Sequence, residues 1–225
     1  LKMNLISIIV PALNEEIGIE KFLQQLQLFR SLGHEVIVVD GGSEDQTVPI
    51  AIPLADKVIQ ASHGRAIQMN KGAAKASNNI LWFLHADTSV SDNSVAEIQA
   101  SLNAHDWGRF NIKLSGKNIL FSVIEKMINI RSCITSIATG DQGIFVKRES
   151  FDKVKGYSDL PLMEDVDLSK KLKKLSRAVC IKDNLITSSR RWEKNGIVAT
   201  VFLMWRLRFL YWLGVSADKL AAQYK

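Results

Sequence analysis

The sequence has little cysteine, little proline and no sign of internal repetition, and each shortage excludes a class of protein. Its 225 residues include two cysteines, Cys133 and Cys180, which lie far apart and lack the spacing of a metal site. We therefore expect a reducing, cytoplasmic compartment, in line with an N-terminus that lacks the pattern of a secretory signal. Four prolines and 47% hydrophobic residues leave ample material for the core of one large α/β domain.

One apolar segment near the C-terminus is too short and too charged to predict a membrane span. Residues 197–213 are apolar on every helical face except at Thr200, Arg206 and Arg208. A spanning helix needs about 20 apolar residues, and each central arginine costs roughly 2.5 to 3.5 kcal/mol. We therefore expect a helix with one side packed on its own domain. We expect the other side to lie either on the inner face of a membrane or against a second copy of the chain.

The net charge of +6 leaves three kinds of partner open, namely nucleic acid, anionic lipid and phosphorylated substrates. Nucleic acid is the least favoured, because basic and aromatic residues are not interleaved on one strand face as base stacking requires. We therefore predict no nucleic-acid partner.

Strand-like and helix-like segments alternate through the first half of the chain. Strands are predicted at Leu5–Val10, Glu35–Val39, Lys57–Ala61, Ile80–Leu84 and Trp107–Leu114. Amphipathic helical patterns lie between them, so right-handed crossovers and a mainly parallel sheet follow. The consecutive apolar residues of the fourth segment predict a central strand that is covered on both faces.

The second half of the chain is less regular. Six apolar residues form a helical stripe, for which packing in the core is favoured over a membrane or partner face: Leu120, Val123, Ile124, Met127, Ile130 and Ile134. Short strands are predicted at 144–146, 178–181 and 185–188. The predicted fold class is α/β, with a Rossmann-like, mainly parallel sheet flanked by helices, a small antiparallel region and a C-terminal apolar helix. We expect a domain at residues 1–192 and a helical extension at 193–225 that packs on it.

Polar residues follow the predicted strands, where open α/β sheets place their ligand crevice. Asp87 ends the buried strand, with His85 two residues earlier on the same side of the pleat. A carboxylate here suits a cation or a phosphate, although residues 88–92 would start a helix equally well without any chemistry. Asp40 ends the second strand and precedes a Gly-Gly turn, which lets a ligand approach the backbone closely.

Cations and acids also cluster further along the chain. Arg65 and Lys71 bring two positive charges into the helix after the third strand. Glu164 and Asp165 stand at a helix start, where acids complement the helix dipole. A carboxylate held rigidly at a cleft edge in this way also suits a general base. Both interpretations stay open for these acids.

A basic and aromatic segment follows the last predicted strand. Arg190-Arg191-Trp192 places two arginines beside an indole, which suits a diphosphate through charge-assisted hydrogen bonds and a stacked wall.

Taken together, these motifs make the chain resemble the family 2 glycosyltransferases of the GT-A fold, over roughly residues 4–192. The matching motifs occur in the family's order and spacing: Val10-Pro11-Ala12-Leu13-Asn14-Glu15-Glu16, the turn from Val38 to Thr47, Arg65 with Asn70-Lys71-Gly72, His85-Ala86-Asp87, and Glu164-Asp165. Within the family, the chain looks most like the short stand-alone branch associated with radical-SAM partners and arsenosugar biosynthesis.

The resemblance implies an inverting, metal-dependent transfer of a sugar from a nucleoside-diphospho sugar, with UDP as the favoured nucleotide, to an acceptor hydroxyl. Asp165 is the implied catalytic base, and Asp87 is the implied ligand of Mg²⁺ or Mn²⁺. The expected nucleotide and donor contacts are Pro11, Leu13, Asn14, Glu15, Asp40, Arg65, Lys71, His85, Ala86, Asp87, Arg190, Arg191 and Trp192. The expected acceptor side comprises Gly140, Asp141, Gln142 and Glu164. Further partners are a membrane surface or a second copy, through the C-terminal helix.

The chain departs from the family's pattern in two places. His85 stands where the family usually has the first acid of Asp-x-Asp, so the metal loses one candidate carboxylate. The Gln of the processive Gln-x-x-Arg-Trp signature is missing before Arg191-Trp192, so we expect one sugar per encounter. The main alternative is a non-catalytic module that binds a nucleotide sugar or a membrane surface. A nucleotidylyltransferase is disfavoured, because residues 11–15 lack a Gly-rich basic loop.

Overall fold

The apolar runs of the sequence become the strands of one sheet, and the amphipathic segments become helices on both of its faces. The structure is a computed structural model and describes residues 4–224, apart from the side chain of Arg191. Within this range the strands are β1 (Ile6–Ala12), β2 (Glu35–Asp40), β3 (Lys57–Gln60), β4 (Ile80–Phe83), β5 (Trp107–Leu114), β6 (Phe145–Lys147) and β7 (Val179–Thr187). The α-helices are α1 (Ile19–Gln25), α2 (Gln27–Ser31), α3 (Thr47–Ala51), α4 (Arg65–Lys75), α5 (Ser94–Ser101), α6 (Ile119–Thr135), α7 (Arg148–Lys153), α8 (Glu164–Lys173), α9 (Arg190–Asn195), α10 (Ile197–Trp212) and α11 (Ala217–Ala221). Short 3₁₀ helices occur at Ile52–Leu54 and Gly140–Gln142.

The sheet has the strand order β3-β2-β1-β4-β6-β5-β7. The first four strands of this order run parallel, as the alternation of strands and helices predicts. β6 enters between β4 and β5 and is antiparallel to both, whereas β7 is parallel to β5. The predicted fold class, a mainly parallel sheet with a small antiparallel region, is confirmed. This topology brings the carboxyl ends of β1, β2 and β4 to one edge of the sheet.

The last strand differs from its prediction. The two short strands predicted at 178–181 and 185–188 are one strand, β7, whose pairing with β5 shifts register between Phe110 and Asn111. The irregularity disturbs the alternation of apolar residues, so the sequence pattern divides a strand that the hydrogen bonds keep whole.

The strand β4 is buried on both faces, as its apolar run predicts. Trp82 lies in the core layer on one face, with its ring centroid 5.6 Å from that of Phe110. Phe83 lies in the layer on the other face, 5.4 Å from the ring of Phe151. Both layers hold the carboxyl end of β4 rigidly, and the candidate site begins at that end.

The prediction that the apolar stripe of α6 packs in the core is wrong. Ile124 is buried, but the other members of the stripe are 43–68% exposed. The helix is oriented by polar contacts instead, because Asn129 bonds both the N–H and the C=O of Ile112 at 2.9 and 3.0 Å. Glu125 also accepts the N–H of Leu114 at 2.8 Å. Polar groups that complete the backbone hydrogen bonds of β5 thus turn the apolar stripe outward.

The helix α10 is half buried, as expected for the apolar C-terminal segment. Leu207 is fully buried and packs with Met163 and Val166 at the start of α8. The opposite face exposes large apolar side chains by 52–72%: Val198, Phe202, Trp205, Phe209 and Trp212. Among the described residues, no helix combines the length and the apolar character that crossing a membrane requires.

The two cysteines are close in space despite their separation in sequence. Cys133 on α6 and Cys180 on β7 form a disulfide, with their Cα atoms 5.8 Å apart. Disulfides persist mainly in oxidising compartments. The cytoplasmic location therefore stays a prediction. The disulfide counts against the inference of a reducing compartment from the cysteine content.

Candidate active site

The loops that follow β1 and β2 are tied to each other at the carboxyl edge of the sheet. The N–H of Asn14 donates to Oγ of Ser43, and Oδ1 of Asn14 accepts the N–H of Glu44, both at 2.9 Å. The N–H of Glu15 donates to Oγ1 of Thr47 at 2.7 Å. Asn14 has a φ of 52°, a conformation that asparagine tolerates better than most residues. The motifs predicted at the first two strand ends therefore form one continuous surface.

Asp40 holds the Gly-Gly turn in place. It is buried, and its carboxylate accepts the N–H of Gly42 at 3.0 Å and the hydroxyl of Ser43 at 2.5 Å. A direct contact between Asp40 and a nucleotide stays a prediction.

Four of the predicted donor-site residues come together around Glu15. Burial and the charge of Asp87 raise the pKa of Glu15, whereas Arg190 and Arg65 oppose this effect. Such mutual effects require the charges to be near one another. The ends of β1 and β4 and the first residues of α4 and α9 thus lie near one another, and Asp87 is exposed there.

His85 is a neutral imidazole at physiological pH. Burial, together with the positive charge of Arg65, lowers the pKa of His85 to about 3. Its ring lies against the loop before β6, since a side-chain carbon added at Gly140 would lie 2.7 Å from Nε2 of His85. The same carbon would lie 3.9 Å from Oδ2 of Asp165. Gly140 therefore lets His85 and Asp165 approach each other across the cleft.

Asp165 is fixed by two backbone donors. Oδ2 accepts the N–H of Gly140 at 2.7 Å, and Oδ1 accepts the N–H of Val166 at 2.6 Å. Burial raises the pKa of Asp165, although these two hydrogen bonds and the charge of Arg208 oppose the rise. A carboxylate that is held in one orientation and has a raised pKa is suited to accept a proton.

Glu164 lies beside Asp165 and is more deeply buried, with 6% of its surface exposed. Burial and the neighbouring Asp165 raise the pKa of Glu164 to about 7. The preceding residue, Met163, has a φ of 68°, so the chain enters α8 through a left-handed conformation that is costly for a methionine. The two adjacent acids thus occupy a strained helix start and not a relaxed cap.

The remaining expected contacts are distributed around the same edge of the sheet. Pro11 and Leu13 are half-buried, Ala86 is buried and Lys71 is exposed on α4. Their contacts with a donor stay predictions.

Three of the expected acceptor-side residues, Gly140, Asp141 and Gln142, form the 3₁₀ helix before β6. Gln142 is fully buried, and its side chain donates to Oγ of Ser132 and accepts the N–H of Thr139. It supports the loop from within, and its acceptor role stays a prediction. Asp141 is half-buried, and its Oδ1 has no hydrogen-bond partner among the described residues.

The basic segment after β7 divides between two surroundings. Arg190 is exposed, and its Nε donates to Oγ of Ser188 at 3.0 Å. Trp192 packs with the cluster of Phe121 and Ile124 on α6. The side chain of Arg191 lies outside the described part of the structure. A stacking role for Trp192 stays a prediction.

The residues present fit a metal ion that is shared with a diphosphate. Among the described residues, no cluster of three or more His, Cys, Asp or Glu side chains has metal-binding geometry. Mg²⁺ is commonly held by one or two carboxylates together with substrate phosphates. Asp87 supplies one exposed carboxylate, and neutral His85 can supply a nitrogen.

Two arginines near Asp165 were not predicted as site residues. Arg208 on α10 lowers the pKa of Asp165. Asp141 and Asp165 in turn raise the pKa of Arg131 on α6. Each arginine interrupts an apolar helix, and that interruption is the sequence signal that points to them.

The comparisons with known proteins agree with this architecture. Residues 7–108 match the family Glycosyl transferase family 2. A 4,4'-diaponeurosporenoate glycosyltransferase from Staphylococcus haemolyticus is 26% identical over 60% of this chain and 38% of its own length. The chain spans about two fifths to one half of the length of the curated relatives it matches.

Solved structures share the fold at low sequence identity. TarS from S. aureus, in complex with UDP-GlcNAc, has a TM-score of 0.66 at 21% identity and covers 82% of this chain and 58% of its own. The mannosyltransferase PcManGT from Pyrobaculum calidifontis, in complex with GDP-Man and Mn²⁺, has a TM-score of 0.67 at 20% identity and covers 90% of this chain and 60% of its own. These similarities establish the GT-A-like fold.

Proposed function

We propose that this chain, whose residues 7–108 match Glycosyl transferase family 2, transfers a single sugar from a nucleoside-diphospho sugar to an acceptor hydroxyl with inversion. The observation that carries the proposal is the position of Asp165. It is held by two backbone N–H groups opposite His85, across the cleft that Glu15, Arg65 and Asp87 border.

The donor side of the cleft supplies positive charge and a rigid floor. Arg65 and Arg190 are placed to offset the charge of the leaving diphosphate. The tied loops at Asn14 and Glu15 give the base and ribose a fixed surface, so that binding energy positions the sugar. PcManGT and TarS are described with GDP-Man and UDP-GlcNAc, which supports a nucleoside-diphospho sugar as donor. A UDP-sugar is our choice within that class.

The acceptor side supplies the base. Asp165 takes the proton of the acceptor hydroxyl as the acceptor oxygen bonds to the anomeric carbon and the nucleoside diphosphate departs from the opposite face. Asp87 would hold the divalent ion, Mg²⁺ or Mn²⁺, which when bound supplies Lewis-acid stabilisation of the diphosphate. One transfer per encounter is expected, because the processive signature is incomplete before Arg191-Trp192. The short branch associated with arsenosugar biosynthesis remains our finer assignment.

We also infer that the outer face of α10 contacts an anionic membrane surface. Phe202, Trp205 and Phe209 are more than half exposed on it, and the exposed Arg206 lies among them. Aromatic residues interleaved with cations favour the interface of anionic bilayers. A net charge of +6 acts in the same direction.

The proposed function is tested with the variant Asp165→Asn. Donor affinity and single-turnover transfer are both measured on this variant and on the unmodified chain. Donor affinity should be nearly unchanged, because Asp165 lies on the acceptor side, whereas transfer should fall by roughly 10² to 10⁴-fold. Asp167→Asn, in the first turn of the same helix, serves as the control. Normal transfer by Asp165→Asn would exclude Asp165 as the base. Donor binding without turnover in the unmodified chain would instead favour the non-catalytic binding module.

A further inference from the structure

The proposed mechanism assigns no role to two half-buried cations, Arg131 and Arg208, whose charges interact with that of Asp165. Arg131 lies in the second half of α6, and Arg208 lies near the middle of α10. Both are half-buried, although an arginine is rarely removed from water unless it is paired.

Packing of three helices brings these arginines to the acceptor side of Asp165. Leu207, the neighbour of Arg208, packs on Met163 and Val166 at the start of α8. Ile137, just after α6, joins the same apolar cluster. The cluster therefore links the segment after α6, the start of α8 that carries Asp165, and the part of α10 that carries Arg208.

Three guanidinium nitrogens at this place are buried without a hydrogen-bond partner in the described part of the chain. They are Nε and one terminal nitrogen of Arg131, and Nε of Arg208. Neither arginine forms an ion pair with a described acid within 4.0 Å. A buried donor without a partner costs stability, and native structures retain such groups mainly where a ligand or water completes them.

The electrostatic balance also favours an incoming anion. Burial and the like charges of Arg208 and Arg109 lower the pKa of Arg131 to about 10, whereas Asp141 and Asp165 oppose this effect. Asp165 is already engaged by two backbone N–H groups. The local positive charge is therefore only partly compensated.

We propose that Arg131 and Arg208 form an acceptor subsite that binds an anionic group, a carboxylate or a phosphate, next to the hydroxyl that is glycosylated. The proposal rests on the proposed function of Asp165 as the base. Guanidinium groups suit it, because their planar donors match the oxygens of both kinds of anion.

The donor diphosphate is a poorer occupant of this subsite. Its cations, Arg65 and Arg190, act on the pKa of Glu15, and Arg65 also acts on that of Glu164. Arg208 instead acts on the pKa of Asp165, and the pKa of Arg131 responds to Asp165 and Asp141. Arg131 and Arg208 are not among the charges that act on Glu15, so their replacement should leave donor binding unaffected.

The test uses sn-glycerol 3-phosphate, which carries a phosphate beside hydroxyl groups, with glycerol as its neutral counterpart. Calorimetry on the full chain, with and without UDP and Mn²⁺, should detect the phosphate and not glycerol. Arg131→Gln and Arg208→Gln should each weaken this binding by roughly 10-fold or more, the usual effect of one charged hydrogen bond. Lys126→Gln, at an exposed position of α6, is the matched control and should leave the affinity unchanged.

A second arm uses a short-chain phosphatidylglycerol below its micelle concentration. Binding that is at least about tenfold tighter than that of sn-glycerol 3-phosphate, and that still depends on Arg131 and Arg208, would assign the anion to a lipid headgroup. Equal affinities with the same dependence would assign it to a soluble acceptor.

The melting temperature distinguishes a pair of arginines that binds a ligand from a pair that stabilises the fold. Removing an unpartnered buried cation should keep or raise the melting temperature, so Arg131→Gln should unfold no earlier than the unmodified chain. Loss of folding in both glutamine variants, or binding of the probe that is equal in all variants or absent in the unmodified chain, would overturn the subsite. Affinity for UDP is measured separately, so a failure of donor binding would count against the proposed function and not against the subsite.

Discussion

Replacing Glu164 by glutamine should make the stability of the protein less dependent on pH. Glu164 is 6% exposed beside Asp165, and its pKa is raised from 4.5 to about 7. A carboxyl whose pKa is higher in the folded state binds its proton more tightly there than in the unfolded chain. Stability should therefore fall as the pH rises from about 4.5 to about 7, and it should stay lower above that range.

The size of this effect follows from the shift. At about 1.4 kcal/mol per pKa unit, the change from 4.5 to about 7 corresponds to roughly 3 kcal/mol of free energy of unfolding. Glutamine resembles the protonated carboxyl in shape and does not ionise. The Glu164→Gln variant should match the unmodified chain near pH 4.5 and exceed it by roughly 3 kcal/mol at pH 8.

Urea unfolding of both proteins at intervals from pH 4.5 to 8 measures this difference directly. Groups that titrate equally in the two proteins cancel, and the exposed Glu149→Gln on α7 gives the control for loss of one negative charge. A stability difference that does not change with pH would refute the argument, because it would mean that Glu164 ionises as easily in the fold as in water.

Two further predictions concern the donor side and the outer face of α10. Asp87→Asn keeps the shape but removes the charge, so affinity for UDP in the presence of Mn²⁺ should fall towards its metal-free value in calorimetry. An unchanged metal dependence would assign the ion to another ligand. Trp205→Ser with Phe209→Ser should reduce sedimentation with anionic vesicles, and added salt should reduce it in the unmodified chain. Vesicle binding that is unchanged by the two substitutions and by added salt would assign this face to another partner. A stable dimer of the unmodified chain in the absence of vesicles would do the same.

The parts of the fold that follow from local patterns could be predicted from the sequence. The parallel strands and their polar ends are set by apolar runs that stop abruptly, as at Leu84 and Asp87. The direction of β6 cannot be read in this way, because its apolar core 144–146 looks the same in either direction. The pairing of Ile80 with Lys147 and of Trp82 with Phe145 establishes that β6 runs against β4, and its pairing with Trp107 and Gly108 does the same for β5.

The helix α6 shows where periodicity is a poor guide to burial. Its apolar stripe is more regular than its polar face, yet Asn129 and Glu125 decide the orientation by bonding the backbone of β5. An unmade backbone hydrogen bond costs about as much as the exposure of one apolar side chain. Two polar residues at suitable spacing can therefore determine which side of the helix meets the sheet.

The donor side and the acceptor side of the candidate site differ in how far they can be predicted from the sequence. Glu15, Arg65, Asp87 and Arg190 follow strands or begin helices, and in the structure the other three charges act on Glu15. Their contacts with a donor stay predictions. Arg131 and Arg208 instead lie within helices whose neighbours are apolar, and their meeting depends on how α6 and α10 pack on α8. No local pattern encodes that arrangement, so the acceptor side is harder to predict than the donor side.

The orientation of α6 and α10 also restricts how an acceptor reaches Asp165. Each helix presents an arginine near the base and large apolar side chains to solvent, such as Met127 on α6 and Phe209 on α10. An acceptor with an anionic group next to an apolar body would satisfy both surfaces, whereas a purely polar acceptor would leave the apolar faces in water. If the short-chain lipid and sn-glycerol 3-phosphate bind equally, the apolar faces must serve attachment of the protein alone, and the acceptor must enter from the aqueous side.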